Sequence, residues 1–247
     1  MKQRTVIITG ASSGIGLATA RRFAAAGDHV VNLDLVQPAE ADAVGEWIRA
    51  DVTDWSGLRT VVDGVHAARG SIDVVVANAG ISLRRSFVDM TEKDVRSLLD
   101  INVLGVVALW QAAARHMIED RSGVLLATAS TNASAGYPYY ADYNASKAAV
   151  LALVRTVALE LAPHVRTACV SPGYVMTPMQ RAEYTDEMFA EVNAKIPAGR
   201  HADPSEIGEA FFYLASDAAR FITGQQIVLD GGELAGGTAS AHGTVFN

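Results

Sequence analysis

The chain has 247 residues, half of them hydrophobic and 19% charged, so it can bury a substantial core and is not disordered as a whole. A formal net charge of -7 excludes nucleic acid as the main partner, because binding a phosphate backbone needs a basic surface. A single cysteine, Cys169, excludes an internal disulfide or a zinc site of several thiolates, and the six histidines show no metal-ligand spacing, so no metal is expected.

Short apolar, β-branched runs alternate with longer segments of helical period. In chain order the expected elements are a strand at 5–9, a helix at 14–26, strands at 29–34 and 47–50, a helix at 56–69, a strand at 74–77, and a helix at 91–118. A strand at 123–129, a helix at 142–162, a strand at 165–170, a helix at 204–217 and a strand at 226–229 follow. Most strands are continuous hydrophobic runs, as expected when helices cover both faces of a parallel sheet. Thr91 with Asp94 and Asp203-Pro204 with Glu206 read as helix starts, and Gly27 as a left-handed residue closing the first helix.

The alternation predicts an α/β chain with a doubly wound Rossmann fold around a parallel sheet of seven strands. No linker or repeat divides it, so 1–247 is expected to be one domain. Residues 35–46, with Pro38, Gly45 and several acids, are too short for a full crossover helix and predict one turn or a loop. The tail at 236–247 has few anchoring residues and is expected to be mobile or docked on a neighbouring subunit. Cys169 sits within a strand and reads as a buried, inert thiol, and Trp110 as a core residue. No signal-type run and no apolar stretch of membrane-spanning length is found, so a cytoplasmic protein is expected.

Thr9-Gly10-Ala11-Ser12-Ser13-Gly14-Ile15-Gly16 joins the first strand to the first helix. Gly10 lets the chain turn at the strand end, Gly14 lets the backbone approach a pyrophosphate, and Gly16 lets the helix pack closely. The helix N-terminus then offers free amides to the anion. Asp34 ends the second strand, where a carboxylate can accept from both ribose hydroxyls and would repel a 2′-phosphate. No cation stands at Ser12, Ser13 or Leu35, so NAD is expected over NADP.

Tyr143 and Lys147 are four apart and share one helix face. A free tyrosine, with a pKa near ~10, is a poor base at neutral pH. The expectation is that the lysine ammonium, together with an oxidised nicotinamide, lowers that value, so that Tyr143 exchanges a proton with an alcohol or ketone. Ser130 should emerge at the carboxyl end of a strand, placed to stabilise charge on the reacting oxygen.

With these motifs in this order, joined by Asp51-Val52, Asn78-Ala79-Gly80, Asn102, and Pro172-Gly173 with Thr177, the chain resembles the short-chain dehydrogenase/reductase family from Thr5 to about Gly232. The resemblance implies a catalytic set of Asn102, Ser130, Tyr143 and Lys147, with Asn102 supporting a water-linked proton path and Lys147 also binding the nicotinamide ribose. It implies that Asp51 and Val52 contact adenine, and that Asn78, Ala79 and Gly80 let the chain pass beside the cofactor. Thr177, just after Pro172-Gly173, would bond the carboxamide, and Ser12, Ser13, Ile15 and Val175 complete the cofactor set.

The substrate pocket is expected between Asn132, Tyr137 and Pro138 after Ser130, the segment after Gly80, and an amphipathic lid at about 175–200 that begins beside Tyr174. Ser130 and Tyr143 would face the substrate there. Cyclic alcohols, diols, sugars and 3-oxoacyl groups all fit, and the short segment before Asp51 resembles family members acting on cyclic dihydrodiols. Arg84-Arg85 follow the Asn-Ala-Gly turn and could meet an anionic substrate, but are read first as solvated surface residues.

Two other functions are weighed. A nucleotide-sugar epimerase or dehydratase shares the Tyr-x3-Lys pair but has another glycine spacing and an added substrate domain. A non-catalytic dinucleotide-binding regulator should lack one of the four catalytic residues. A homotetramer is expected, because the helices at 91–118 and 142–162 carry more apolar surface than one sheet face covers, and relatives pair through these helices.

Overall fold

Among the residues that the computed structural model describes, 3–236, seven strands form one sheet. They are β1 (Thr5–Thr9), β2 (His29–Asp34), β3 (Glu46–Arg49), β4 (Val74–Ala77), β5 (Gly123–Thr128), β6 (Val165–Pro172) and β7 (Gln225–Leu229). Their order is β3-β2-β1-β4-β5-β6-β7 and every pairing is parallel. The helices are α1 (Gly14–Ala25), α2 (Trp55–Arg69), α3 (Glu92–Leu99), α4 (Gly105–Glu119), α5 (Ala141–Leu161), α6 (Pro178–Glu183), α7 (Asp186–Lys195) and α8 (Pro204–Leu214).

The period-two alternation of strand side chains divides the core. Ile7, Val75, Leu125 and Cys169 point to one face, under Leu58 of α2, Leu109 of α4 and Val150 of α5. Val6, Ile8, Val74, Val76, Leu126 and Val170 point to the other, under Phe23 of α1 and Phe211 of α8. Both faces are therefore covered, which explains why the strands read as unbroken hydrophobic runs. The crossovers reverse direction between β1 and β4, and that reversal opens a crevice at the strands' carboxyl ends.

Local signals act as expected. Asp203 and Glu206 form a reciprocal capping box, Thr91 Oγ1 accepts from the Asp94 amide, and Gly27 has φ +87° after α1. Between β2 and β3 there is only a 3-10 turn, Glu40–Asp42. β3 begins one residue earlier than expected, and β6 runs on to Pro172, pairing with β7 to the end. The last residues of the expected tail, 237–247, lie outside the described residues.

Two expectations fail on one long helix. Instead of an uninterrupted α-helix at 91–118, α3 and α4 are joined by a π-helical turn, Asp100–Leu104, that carries Asn102. The continuous segment Glu92–Glu119 also has the length and apolarity of a membrane span, contrary to the sequence analysis. Its apolar side chains are used inside the protein: Val106, Leu109, Trp110, Ala113 and Met117 are buried, and Trp110 Nε1 donates to Leu126 O at 3.3 Å. It packs as a core helix.

Gly16 shows how tightly the first turn is drawn. A Cβ there would lie 2.1 Å from Gly10 O and 2.6 Å from Asn78 Nδ2. The close approach is to the glycine turn itself rather than to the sheet. Alanine in place of glycine inside a helix normally stabilises by about 1 kcal/mol. Here the clash reverses the sign, and Gly16→Ala should destabilise the fold by about 2 kcal/mol. A thermal melt checks it: a raised midpoint would show that the turn can open.

Candidate active site

The crevice is a cleft of about 1250 Å³. Thirteen of the residues expected at the site line it: Gly10, Ser13, Gly14, Ile15, Asp34, Asp51, Val52, Asn78, Ala79, Gly80, Tyr143, Lys147 and Thr177. Ser13 caps α1 without any side-chain bond to its first turn, so those amides are left to an anion in the cleft. Gly10 and Gly14 hold φ +68° and +54°, backbone that suits glycine. A Cβ on Gly80 would come within 3.2 Å of Asn102 Oδ1 and 3.7 Å of Lys147 Nζ, so glycine lets the chain pass closely beside these groups.

Asp34 stands at the cleft with its carboxylate oriented by two amides, Ser12 N at 3.1 Å and Val36 N at 3.1 Å. Each oxygen keeps a lone pair for a hydroxyl. Ser12 does not line the cleft. Its hydroxyl donates to Val36 O at 2.6 Å and accepts from Asn32 Nδ2 at 3.0 Å, so it fixes the loop instead. Asn78 is a structural cross-tie as well as a wall: Nδ2 donates to Thr9 O and Gly10 O, and Oδ1 accepts from Thr128 Oγ1. Pro172, Gly173 and Val175 also fall outside the lining. Gly173 backs onto Asp230, and Val175 is buried in a parallel bridge to Ala202. Thr177 reaches the cleft as the cap of α6, accepting from Gln180 N at 3.2 Å.

The four expected catalytic residues converge. Tyr143 and Lys147 share one face of α5, with Nζ 5.5 Å from the tyrosine ring centroid. Lys147 is buried and donates to Thr128 O at 2.8 Å. Ser130, just beyond β5, accepts from Asn132 N at 3.2 Å and donates to Asn132 Oδ1 at 3.0 Å, with its hydroxyl close enough to the Tyr143 phenol to draw its pKa down. Asn102 is buried behind them: it accepts from Ile81 N and donates to Ile81 O at 2.9 Å and to Ser146 Oγ at 3.2 Å. The π turn explains this reach, because it releases a local stretch of helix to present one side chain inward.

On the other side of Ser130, Asn132 Nδ2 donates to Asn144 Oδ1 at 2.6 Å. The Tyr137 hydroxyl donates to Glu233 Oε1 at 2.7 Å. Tyr174 packs edge-on against Tyr184 and His201. None of these three expected substrate residues lines the cleft, and neither does Ser130.

The family model described as Enoyl-(Acyl carrier protein) reductase matches residues 10–233. The chain belongs to the short-chain dehydrogenase/reductase family. It is 38% identical over 242 residues to the cis-4-hydroxycyclohexanecarboxylate dehydrogenase of Sinomonas cyclohexanicum, covering 93% of this chain and 96% of that protein. Thermoplasma acidophilum aldohexose dehydrogenase in ligand-free form superposes with a TM-score of 0.92 at 32% identity, covering 96% of both chains. A gluconate 5-dehydrogenase from Burkholderia cenocepacia in complex with NADP and tartrate gives 0.89 at 30%, covering 96% of this chain and 97% of that one.

In this short-chain dehydrogenase/reductase, a family of oxidoreductases that bind an NAD(P) dinucleotide, the electrostatics depart from expectation. Tyr143 is pushed up to about 12, chiefly by burial and further by the Glu183 carboxylate, while the Ser130 hydrogen bond pulls it down. Lys147 does not lower it, because the ammonium faces the ring and is itself brought down to about 8 by burial. Cys169 is buried and its thiol is raised to about 12, the inert residue expected.

Several working residues escaped the sequence analysis. Thr128 receives Lys147 and Ser146 receives Asn102, and the position of Ser146 immediately before the lysine was the available signal. Lys93 and Arg96 line the cleft from α3, with Arg96 held by Glu92 at 2.7 Å. Glu183 and Glu233 had no local motif to reveal them.

Proposed function

We propose that the chain interconverts a secondary alcohol and a ketone by hydride transfer, preferring NAD. The observation that carries this is the meeting of Tyr143 and Lys147 at a cleft that also offers a free helix N-terminus and Asp34, with Ser130 acting on the Tyr143 phenol from outside the lining. Gly10, Gly14 and Ile15 fit a pyrophosphate, and Gly80 leaves room beside Lys147 for a sugar. When bound, the nicotinamide supplies the hydride acceptor or donor. Tyr143 takes the hydroxyl proton in oxidation and returns it in reduction. Ser130 hydrogen-bonds the reacting oxygen as charge develops on it. Lys147 holds the ribose, and Asn102 fixes the loop at Ile81 and the helix at Ser146 around them.

The segment at 175–200, containing α6 and α7, is assigned as the lid over the reacting end. Assembly as a homotetramer belongs to the same reading, supported by apolar Leu104, Ile118 and Leu159, which stay exposed along the two long helices.

NAD preference rests on Asp34, whose oriented carboxylate would meet a 2′-phosphate with like charge. Initial rates with both dinucleotides across a panel of secondary alcohols test it. NAD should be preferred, and Asp34→Asn, which keeps one acceptor for the loop amides, should shrink the ratio of catalytic efficiencies by roughly 10- to 100-fold. A clear NADP preference in the unmodified protein refutes the assignment.

A further inference from the structure

We propose that Glu183 and Glu233 make the substrate side of the site an anionic, hydrogen-bond-accepting wall, which selects neutral polyhydroxylated or cationic alcohols and turns away carboxylated ones. This names the substrate class for the hydride-transfer reading above and rests on it.

Glu183 is the last residue of α6 and closes over the site by two bonds. It accepts from the Ser82 hydroxyl of the loop after β4 and from the Tyr140 hydroxyl at 2.7 Å. Tyr140 stands three residues before Tyr143, their rings edge-to-face at 6.3 Å. A substrate oxygen on Tyr143 therefore lies within the field of this carboxylate.

Glu233 approaches from the loop after β7. Its Oε1 accepts from Tyr137, while Oε2 is buried with no hydrogen-bond partner and presses on Gly173, where a Cβ would lie 3.1 Å away. A buried carboxylate oxygen without a donor is costly, and it leaves the Glu233 charge uncompensated behind Tyr137. The neighbouring Asp230 is committed to the loop itself, accepting from Gly232 N at 2.9 Å and Leu234 N at 2.7 Å. Asp230 thus holds Glu233 in place.

The phenols between the two glutamates report the same field. Tyr137, Tyr140 and Tyr174 are all raised above the ordinary phenol value, first by burial, and further by Glu233 for Tyr137, by Glu183 for Tyr140, and by Tyr184 and then Glu233 for Tyr174. Of the cations around the cleft, Arg85 pairs with Asp94, Arg96 with Glu92, Arg84 lies over the Tyr139 ring and Lys147 donates to Thr128, which leaves Lys93 of α3 to set against the two glutamates. A substrate carboxylate would meet like charge at short range. The carboxylated alcohol for which the Sinomonas relative is named belongs to the disfavoured class.

The test uses matched ring alcohols carrying a hydroxymethyl, an aminomethyl or a carboxylate group at one position. The kcat/KM of the full-length protein is measured for each with NAD and with NADP. The neutral and cationic members should exceed the carboxylate by roughly tenfold or more, as expected for like charges in a partly desolvated site. Glu233→Gln and Glu183→Gln should each narrow that gap by raising use of the carboxylate. Glu160→Gln, the same charge change on the exposed face of α5, should leave it as it was. Equal use of carboxylate and hydroxymethyl compounds by the unmodified protein overturns the proposal. So does an unchanged gap in both glutamine variants whose melting points match the parent. Oxidation of no alcohol with either dinucleotide is a different result, and it removes the hydride-transfer reading together with this inference.

Discussion

Tyr143→Phe should lose ~10²–10⁴-fold in turnover, the loss typical of removing an acid–base catalyst, while its fold and dinucleotide binding persist. The substitution deletes one oxygen. The ring keeps its place beside Tyr140 and under the Lys147 ammonium, so packing is nearly unchanged. The deleted oxygen is the one whose pKa Ser130 draws down, the group assigned to exchange the substrate's proton. With the phenol held up to about 12, the protonated form prevails at neutral pH in the protein alone. Ketone reduction, which needs a proton donor, is then ready at pH 7, whereas alcohol oxidation should rise with pH. A cationic nicotinamide beside the phenol favours the phenolate, so the rise should fall below pH 12 in the dinucleotide complex. Steady-state rates in both directions, with binding followed separately by dinucleotide fluorescence, check this. Near-normal turnover in the variant would assign the proton transfer to another group.

The parts of the site that the sequence made legible are those whose chemistry depends on neighbours in the chain. Gly10, Gly14 and Gly16 lie within one strand–turn–helix unit, so their conformational demands could be read from spacing alone. Tyr143 and Lys147 share a face because α5 is a regular helix. Seven strands followed from apolar runs, with limits off by one or two residues where pairing extends a strand, as β6 does along β7. Asn102 was legible only through the resemblance, since helical period does not distinguish a π turn from ordinary helix.

What stayed hidden depends on distance in the chain being lost in the fold. Ser82, Tyr140 and Glu183 come from three separate segments, as do Tyr137, Gly173 and Glu233, and no local pattern foretells their meeting. The direction of the Tyr143 shift was hidden for a related reason. Burial outweighs an ammonium that meets the ring rather than the oxygen, and burial is a property of everything packed around a residue. The helix at 91–118 repeats the lesson, because the apolarity that satisfies a membrane also satisfies the underside of a sheet.

Lys147→Met should separate function from stability. The lysine is buried, and its pKa falls from the ordinary 10.5 to about 8, so it is still charged at pH 7 and the folded state bears the cost of desolvating it. A change of that size corresponds to about 3 kcal/mol. Methionine fills similar space without charge, though it leaves Thr128 O without its donor, which costs about 1 kcal/mol. The variant should therefore be more stable than the parent by about 1–2 kcal/mol at pH 7. The sign of the pH dependence follows from proton counts. Between pH 8 and 10.5 the unfolded lysine binds more protons than the folded one, so the parent gains stability with rising pH across that window. The advantage of the variant should be constant below pH 8 and shrink from there to 10.5, and subtracting the two melting profiles cancels groups common to both. Activity should move the other way, falling by ~10²-fold or more as the cation that holds the ribose beside Tyr143 is lost. A variant less stable than the parent at every pH would show that the ammonium gains more inside the protein than it loses from water. Full turnover would remove Lys147 from the catalytic set.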